Sequence, residues 1–207
     1  MCGIIAVFGE ERDVPTDLLS HRGPDDYRTE TMGKCRMDFY RLAINDLSVA
    51  GMQPFVRPNR MFVCNGEIYD HRSFRNGDER SKSDCEVVMN LVHTIGIENT
   101  VKSINGDFAM VYTDGKRVLA ARDPVGVRPL FYTRYAKDSI AFASEAKALM
   151  FLGTRIEIFP PGHFYDSYVN TFVCYHTGYW NVHKFSGTKN HERIRHTLED
   201  AVHIRLD

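Results

Sequence analysis

Hydrophobic residues fall along this chain in short blocks rich in β-branched and aromatic side chains, at 3–8, 61–64, 108–112, 118–121, 130–135, 140–143 and 171–175. Each block predicts a strand. Thr113-Asp114-Gly115-Lys116 separates two of them, and Asp-Gly supplies the positive-φ residues of a tight hairpin turn, so the flanking strands are expected to pair antiparallel. The period lengthens to that of a helix where Val87, Val88, Leu91, Val92 and Ile95 fall on one face, behind the capping-box pattern Ser83-Asp84-Cys85-Glu86. A shorter helix is expected after Ala143, with Ala146, Leu149 and Met150 inward, and another helical piece over 98–104. A last amphipathic segment over 191–206 carries Ile194, Leu198, Ala201, Val202 and Leu206 on one side. The polar stretch before it reads as a linker. The expected organisation is a domain over 2–180, a linker over 181–190, and over 191–207 the start of a further, truncated or missing domain. Strands with interspersed helices point to a layered α/β or α+β domain.

Composition narrows the class. A chain of 207 residues with 43% hydrophobic and 26% charged positions can bury one core, which argues against disorder. A net charge of -1 without long charge runs leaves no footprint for nucleic acid or an anionic membrane. The apolar start at 3–8 is cut off by Glu10, Glu11, Arg12 and Asp13, too early for a signal peptide or a spanning helix. A cytoplasmic protein is expected.

The cysteines change the picture further. There are five, widely spaced, with no C-x-x-C pair and no zinc-like spacing to histidine, so neither a disulfide framework nor a metal site is expected. Cys35, Cys64, Cys85 and Cys174 read as small buried packing residues. Cys2 differs because removal of Met1 would leave its thiol and a free α-amine on one residue. Their ordinary pKa values, about 8.5 and about 7.7–8.0, let the amine take the thiol proton near neutral pH. The alternative is that Cys2 merely begins a buried strand.

Downstream stand His21-Arg22-Gly23-Pro24-Asp25, Arg41-Leu42-Ala43-Ile44-Asn45, Asn65-Gly66-Glu67-Ile68-Tyr69, Ser83-Asp84-Cys85-Glu86, Asn105-Gly106-Asp107-Phe108-Ala109, the run from Arg122-Asp123-Pro124 to Arg128-Pro129-Leu130, and Ser144-Glu145-Ala146-Lys147. Taken with Met1-Cys2-Gly3-Ile4-Ile5, this order resembles the class II glutamine amidotransferases of the Ntn-hydrolase type, specifically the glutaminase domain of glutamine-hydrolysing asparagine synthetase. The resemblance covers nearly the whole chain. It implies an α+β fold, a four-layer αββα sandwich with two antiparallel sheets and Cys2 at the end of an inner strand.

The resemblance also assigns roles. Cys2 would be the nucleophile, and the Asn65 side chain with the Gly66 N–H would form the oxyanion hole, where each donor is worth about 10²–10³-fold in rate. By itself Asn-Gly would read as a hairpin turn. Arg41 and Asp84 would grip the α-carboxylate and α-ammonium of L-glutamine, with Leu42, Ala43, Ile44 and Asn45 lining the pocket and Glu67 helping with the ammonium. By themselves Arg41 could be a surface arginine and Asp84 a favourable charge at a helix start. His21 reads as a hydrogen-bonding strut, since the Cys2 amine makes a second base unnecessary. Arg122, Asp123, Gly126 and Arg128 read as a turn-stabilising network, and Pro160-Pro161-Gly162 as a turn.

Departures from the family are few. The segment from Glu10 to Ser20 is shorter than the family's helical stretch, and Asp70 stands where asparagine is common. No Ser-Gly-Gly-Leu-Asp-Ser-Ser pyrophosphatase loop follows, so no cofactor is expected here; ATP and magnesium belong to a synthetase domain or subunit that would also bring the aspartate site. A truncated chain, a split gene and a standalone protein all remain open, as does a homodimer. Two other functions stand beside the main one: a glutaminase feeding a different acceptor, of the amidophosphoribosyltransferase or glucosamine-phosphate synthase type, and a non-catalytic interaction module.

Overall fold

The computed structural model describes residues 1–15, 17–153, 155–177 and 191–206. The linker and the boundary expected at Trp180 lie outside them. In chain order the strands are β1 (Gly3–Phe8), β2 (Asp26–Met32), β3 (Cys35–Arg41), β4 (Phe55–Arg57), β5 (Arg60–Ile68), β6 (Gly106–Thr113), β7 (Val118–Arg122), β8 (Phe131–Ala136), β9 (Ser139–Ala143), β10 (Glu157–Ile158), β11 (His163–Asp166) and β12 (Thr171–Cys174). Helix α1 spans Asp84–Ser103 and α2 spans His191–His203.

Two six-stranded antiparallel sheets result, with orders β10-β8-β9-β1-β3-β2 and β12-β11-β7-β6-β5-β4. β1 reads as an unbroken apolar run because it is central and buried on both faces. Its even positions Ile4, Ala6 and Phe8 join Met37, Phe39, Met61, Val63 and Phe142 in the core between the sheets. Its odd positions Ile5 and Val7 face the other way, against Leu19, Ala148 and Leu149. α1 covers the outer face of the second sheet through Val88, Met89 and Val92.

The α+β sandwich with two antiparallel sheets is thus observed. Its outer layer over the first sheet is thin, made of a 3-10 helix at Ala146–Leu152 and the turns around residues 17–22, as the short segment after β1 allows. The 3-10 period alters the expected inner face: Ala148 and Leu149 are buried, whereas Met150 is exposed.

Three other expectations are corrected. α1 is broken at Gly96 (φ 80°), so Ile95 is exposed rather than inward, and a separate helical turn follows as expected. The capping box is half made: Ser83 Oγ accepts from the Cys85 N–H at 3.3 Å, but Glu86 turns to the preceding loop, accepting from the Ser81 N–H at 2.8 Å and pairing with Arg57. The β6–β7 hairpin forms as predicted. All five cysteines are free, and Cys174 is exposed rather than buried. Among the described residues no helix is long and apolar enough to cross a membrane, and no group of three His, Cys, Asp or Glu side chains is placed to hold a metal.

Candidate active site

The site follows from register and alternation. β1 and β3 pair with Gly3 opposite Tyr40, and the same register carried one step further sets Cys2 opposite Arg41. Side chains alternate faces, so Cys2 shares the inward face of Ile4 and Ala6, and Arg41 that of Met37 and Phe39. Across the gap, Asn65 shares the inward face of Met61 and Val63 on β5. Thiol, guanidinium and carboxamide therefore converge between the sheets at one end of the sandwich. They line one pocket of about 110 Å³, together with Leu42, Ala43, Ile44, Asn45, Gly66, Glu67 and Asp84. Every site residue expected from sequence lies on this wall.

The Cys2 sulfur sits 3.4 Å from the Leu42 N–H and 3.5 Å from the Leu42 carbonyl. Burial pushes its thiol up from the ordinary range, against smaller opposing effects of the Leu42 N–H, the chain's terminal ammonium and Arg41. Such a thiol needs a base. In this structure Met1 still precedes Cys2, lines the same pocket and is half exposed. The Cys2 backbone is pinned from behind: Arg22 Nε donates to its carbonyl at 3.0 Å, and the Ile4 N–H donates to Ser144 Oγ at 3.0 Å. His21 is a strut, 2.8 Å from Glu145.

Asn65 is 2% exposed, yet its Nδ2 has no hydrogen-bond partner. A buried orphan donor is costly unless a ligand atom completes it. On the neighbouring peptide, alternation along β5 turns the polar groups of residues 64, 66 and 68 away from β6. Cys64 N–H reaches Gln53 Oε1 at 2.7 Å, Ile68 N–H reaches Asp84 Oδ2 at 2.7 Å, and the Gly66 N–H points to the same edge between them. A Cβ at Gly66 would stand 2.6 Å from the Asp107 carbonyl oxygen, so the close β5–β6 approach requires glycine.

Opposite charges flank the pocket. Arg41 is buried and donates to the Asp46 carbonyl, leaving other guanidinium donors for a ligand. Asp84 opens α1, where the helix dipole favours its charge, and accepts from Asn45 Nδ2 at 3.3 Å. Glu67 is partly exposed, 4.0 Å from Arg128.

Sequence reasoning missed three supports. Gln53 brackets the Cys64 peptide, its Nε2 donating to the Cys64 carbonyl at 3.1 Å, and so fixes the strand just before Asn65. Asp46 ties the pocket loop to the approach to α1 through the N–H groups of Ser48 and Lys82 at 2.9 and 2.8 Å. Burial alone would raise its carboxyl; those hydrogen bonds and nearby Arg41 hold it below the usual range. Arg128 belongs to the expected turn network through its main chain, with Asp123 accepting four successive N–H groups from Val125 to Arg128. Its side chain does something further, lining the pocket with a buried Nε that has no partner. The Gln53–Cys64 and Asp46–Lys82 contacts join residues far apart in sequence and become visible only in the fold.

Comparison with known proteins agrees with this architecture. The glutamine amidotransferase domain family matches residues 1–199. The chain is 37% identical over 187 residues to bovine (Bos taurus) asparagine synthetase [glutamine-hydrolyzing], covering 79% of this chain and 33% of that protein. It is 35% identical to a probable asparagine synthetase of Schizosaccharomyces pombe, covering 100% of this chain and 41% of that one. The chain thus spans less than half the length of these curated relatives. The glutamine phosphoribosylpyrophosphate amidotransferase of B. subtilis superposes with a TM-score of 0.71 at 18% identity, over 86% of this chain and 50% of that one, which shows a shared fold.

Proposed function

Since the chain belongs to the class II glutamine amidotransferase family and matches the amino-terminal part of glutamine-hydrolysing asparagine synthetases, we propose that it hydrolyses L-glutamine to L-glutamate and ammonia through a thioester on Cys2. The observation that carries this reading is the convergence in one pocket of the Cys2 thiol, the unpartnered Asn65 Nδ2, and opposite charges on Arg41 and Asp84.

The reaction needs Met1 removed, so that the freed α-amine of Cys2 takes the thiol proton. The sulfur then attacks the side-chain amide carbon, and the oxygen that gains charge accepts hydrogen bonds from Asn65 Nδ2 and the Gly66 N–H. Collapse breaks the C–N bond as the amine returns its proton to the leaving nitrogen, which departs as ammonia. Water, deprotonated by the same amine, attacks the thioester and releases glutamate. Arg41 holds the substrate carboxylate, while Asp84, with Glu67 beside it, holds the ammonium.

The ammonia would serve ATP-dependent asparagine synthesis by a synthetase domain or subunit. The curated relatives carry that name on chains more than twice as long as their match to this one, which supports this acceptor over the others. ATP and magnesium would bind in that other part.

The test is glutamate release from L-glutamine by protein with a confirmed Cys2 terminus, beside Cys2→Ala. Turnover lost in the variant supports the reading. Folded, correctly processed protein that stays inactive even with a synthetase partner added would refute it.

A further inference from the structure

A second, larger pocket of about 390 Å³ opens at the far end of the sandwich. Cys2 precedes β1 and Phe8 closes it, so at about 3.3 Å per residue the two pockets lie roughly 20 Å apart. Phe8, Ile140 and Tyr165 form an apolar floor between the sheets. Two contacts between hairpin ends frame the mouth. On one side the Lys34 N–H donates to the Gly115 carbonyl at 3.2 Å. A Cβ at Gly33 (φ 57°) would stand 2.0 Å from that oxygen, so glycine is what lets these turns touch. On the other side Arg134 reaches the Asn170 carbonyl at 3.5 Å.

The rim is cationic. Lys34, Lys116 and Arg134 line it, and among the described residues none has a carboxylate at ion-pair distance, although Arg117 nearby is paired with Asp166. Among the described residues Asp138 offers the one carboxylate on the rim. Arg134 is also held in place, its guanidinium 5.4 Å from the Tyr165 ring centroid and 5.9 Å from that of Phe172. A cation fixed on aromatic faces loses little freedom when it meets an anion. Among the described residues the two non-glycine positions with left-handed backbone, Asp138 (φ 58°) and Asn170 (φ 51°), both sit on this rim, in the turns that shape it.

We propose that this pocket binds a small dianion bearing phosphate or carboxylate groups, at a site separate from the Cys2 pocket. Its charges would meet Lys34, Lys116 and Arg134, and any apolar part would lie on Phe8 and Tyr165.

Calorimetric titration with pyrophosphate and, separately, with succinate at a fixed ionic strength of about 0.1 M tests this, because charges beyond about 10 Å are then largely screened. Saturable one-to-one binding is expected for at least one probe. Pyrophosphate alone points to a phosphate ester, and succinate alone or binding as tight points to a dicarboxylate. The double variant Lys34→Ser with Lys116→Ser should weaken binding about tenfold, the scale of two exposed charge pairs. Lys102→Ser with Lys147→Ser, elsewhere on the surface, should leave it unchanged. Amide chemical shifts should move around Phe8, Tyr165 and Asn170. Absence of saturable binding by both probes, equal binding by the two double variants, or shifts centred on Leu42 and Asn65 would overturn the proposal.

Discussion

Arg22 donates from Nε to the main-chain carbonyl of Cys2 at 3.0 Å while its Nη1 reaches Glu145 at 3.1 Å, so one guanidinium ties the start of β1 to the turn after β9. Ser144 adds two contacts, accepting from the Ile4 N–H and donating its own N–H to the Ile4 carbonyl, each at 3.0 Å. A nucleophile at a chain end would otherwise fray.

Arg22→Ala is therefore expected to lower the glutaminase kcat about 10²-fold with a smaller change in KM, because misplacement of the reacting atom by about 1 Å costs that much. Arg22→Lys should recover little, since an ammonium cannot reproduce the fork. Steady-state kinetics on variants that unfold cooperatively in a thermal scan measure this. Near wild-type kcat for Arg22→Ala would show that Ser144 suffices.

Asn65→Ala should cost about 10²–10³-fold in kcat with KM little altered, the signature of a donor used in the transition state. The orphaned Nδ2 also predicts that removing it does not destabilise the folded protein, as no native hydrogen bond is lost. Parallel kinetics and urea unfolding separate the two effects. A raised KM at constant kcat would reassign Asn65 to substrate binding.

Much of the site was legible because its chemistry sits in contiguous words. Cys2 is fixed by position, Asn65-Gly66 by strand and motif, and Asp84 by the helix start. β2 was not legible: its residues from Asp26 to Met32 are mostly polar, and it forms an edge strand that buries little. β3 was hidden by Arg36 and Asp38, which interrupt the apolar pattern yet pair with each other at 2.9 Å, with Asp38 fully buried. β11 and β10 are too short to carry a period. Gln53 and Asp46 escaped for another reason. Gln53 bonds the Cys64 peptide and Asp46 the Lys82 N–H, partners distant in sequence that only the fold brings close, and the local Asp46–Ser48 contact by itself does not mark a site.

Gly66→Ala should destabilise the protein by about 1–3 kcal/mol, since the added carbon meets the backbone oxygen of Asp107 at 2.6 Å and β5 must shift. Glutaminase activity should fall as well, because the oxyanion donor moves with the strand. Urea unfolding reads the first effect, and the second should survive under conditions where the variant is fully folded. Unchanged stability would mean that β5 and β6 can part there at no cost.

Protein that keeps Met1 should be inactive, and its Cys2 should react slowly with iodoacetamide. Burial raises the thiol above its ordinary pKa, so the thiolate fraction is small at neutral pH and grows only in alkali. Removing Met1 places an amine beside the sulfur and should speed alkylation near neutral pH. Mass spectrometry across a pH series follows both forms. Equal rates for the two forms would argue against the amine as base.

Glu145 carries the acid-side prediction. Burial alone would raise its carboxyl, but hydrogen bonds from His21, Arg22 and Lys147 together hold it below the usual glutamate range. A carboxyl depressed on folding contributes stability that is present above its unfolded pKa and is lost as pH falls through the folded value. Wild-type protein should therefore lose stability on acidification below the ordinary glutamate range, and Glu145→Gln should lack that part of the slope while being less stable near neutral pH. Urea unfolding at a series of pH values measures both. Because Glu145 acts on the nucleophile through Arg22, glutaminase activity should fall over the same acid window in the wild type, after correction for protonation of the Cys2 amine. Identical stability slopes for the two proteins would remove Glu145 as a source of acid sensitivity and leave Arg22 held by the Cys2 carbonyl alone.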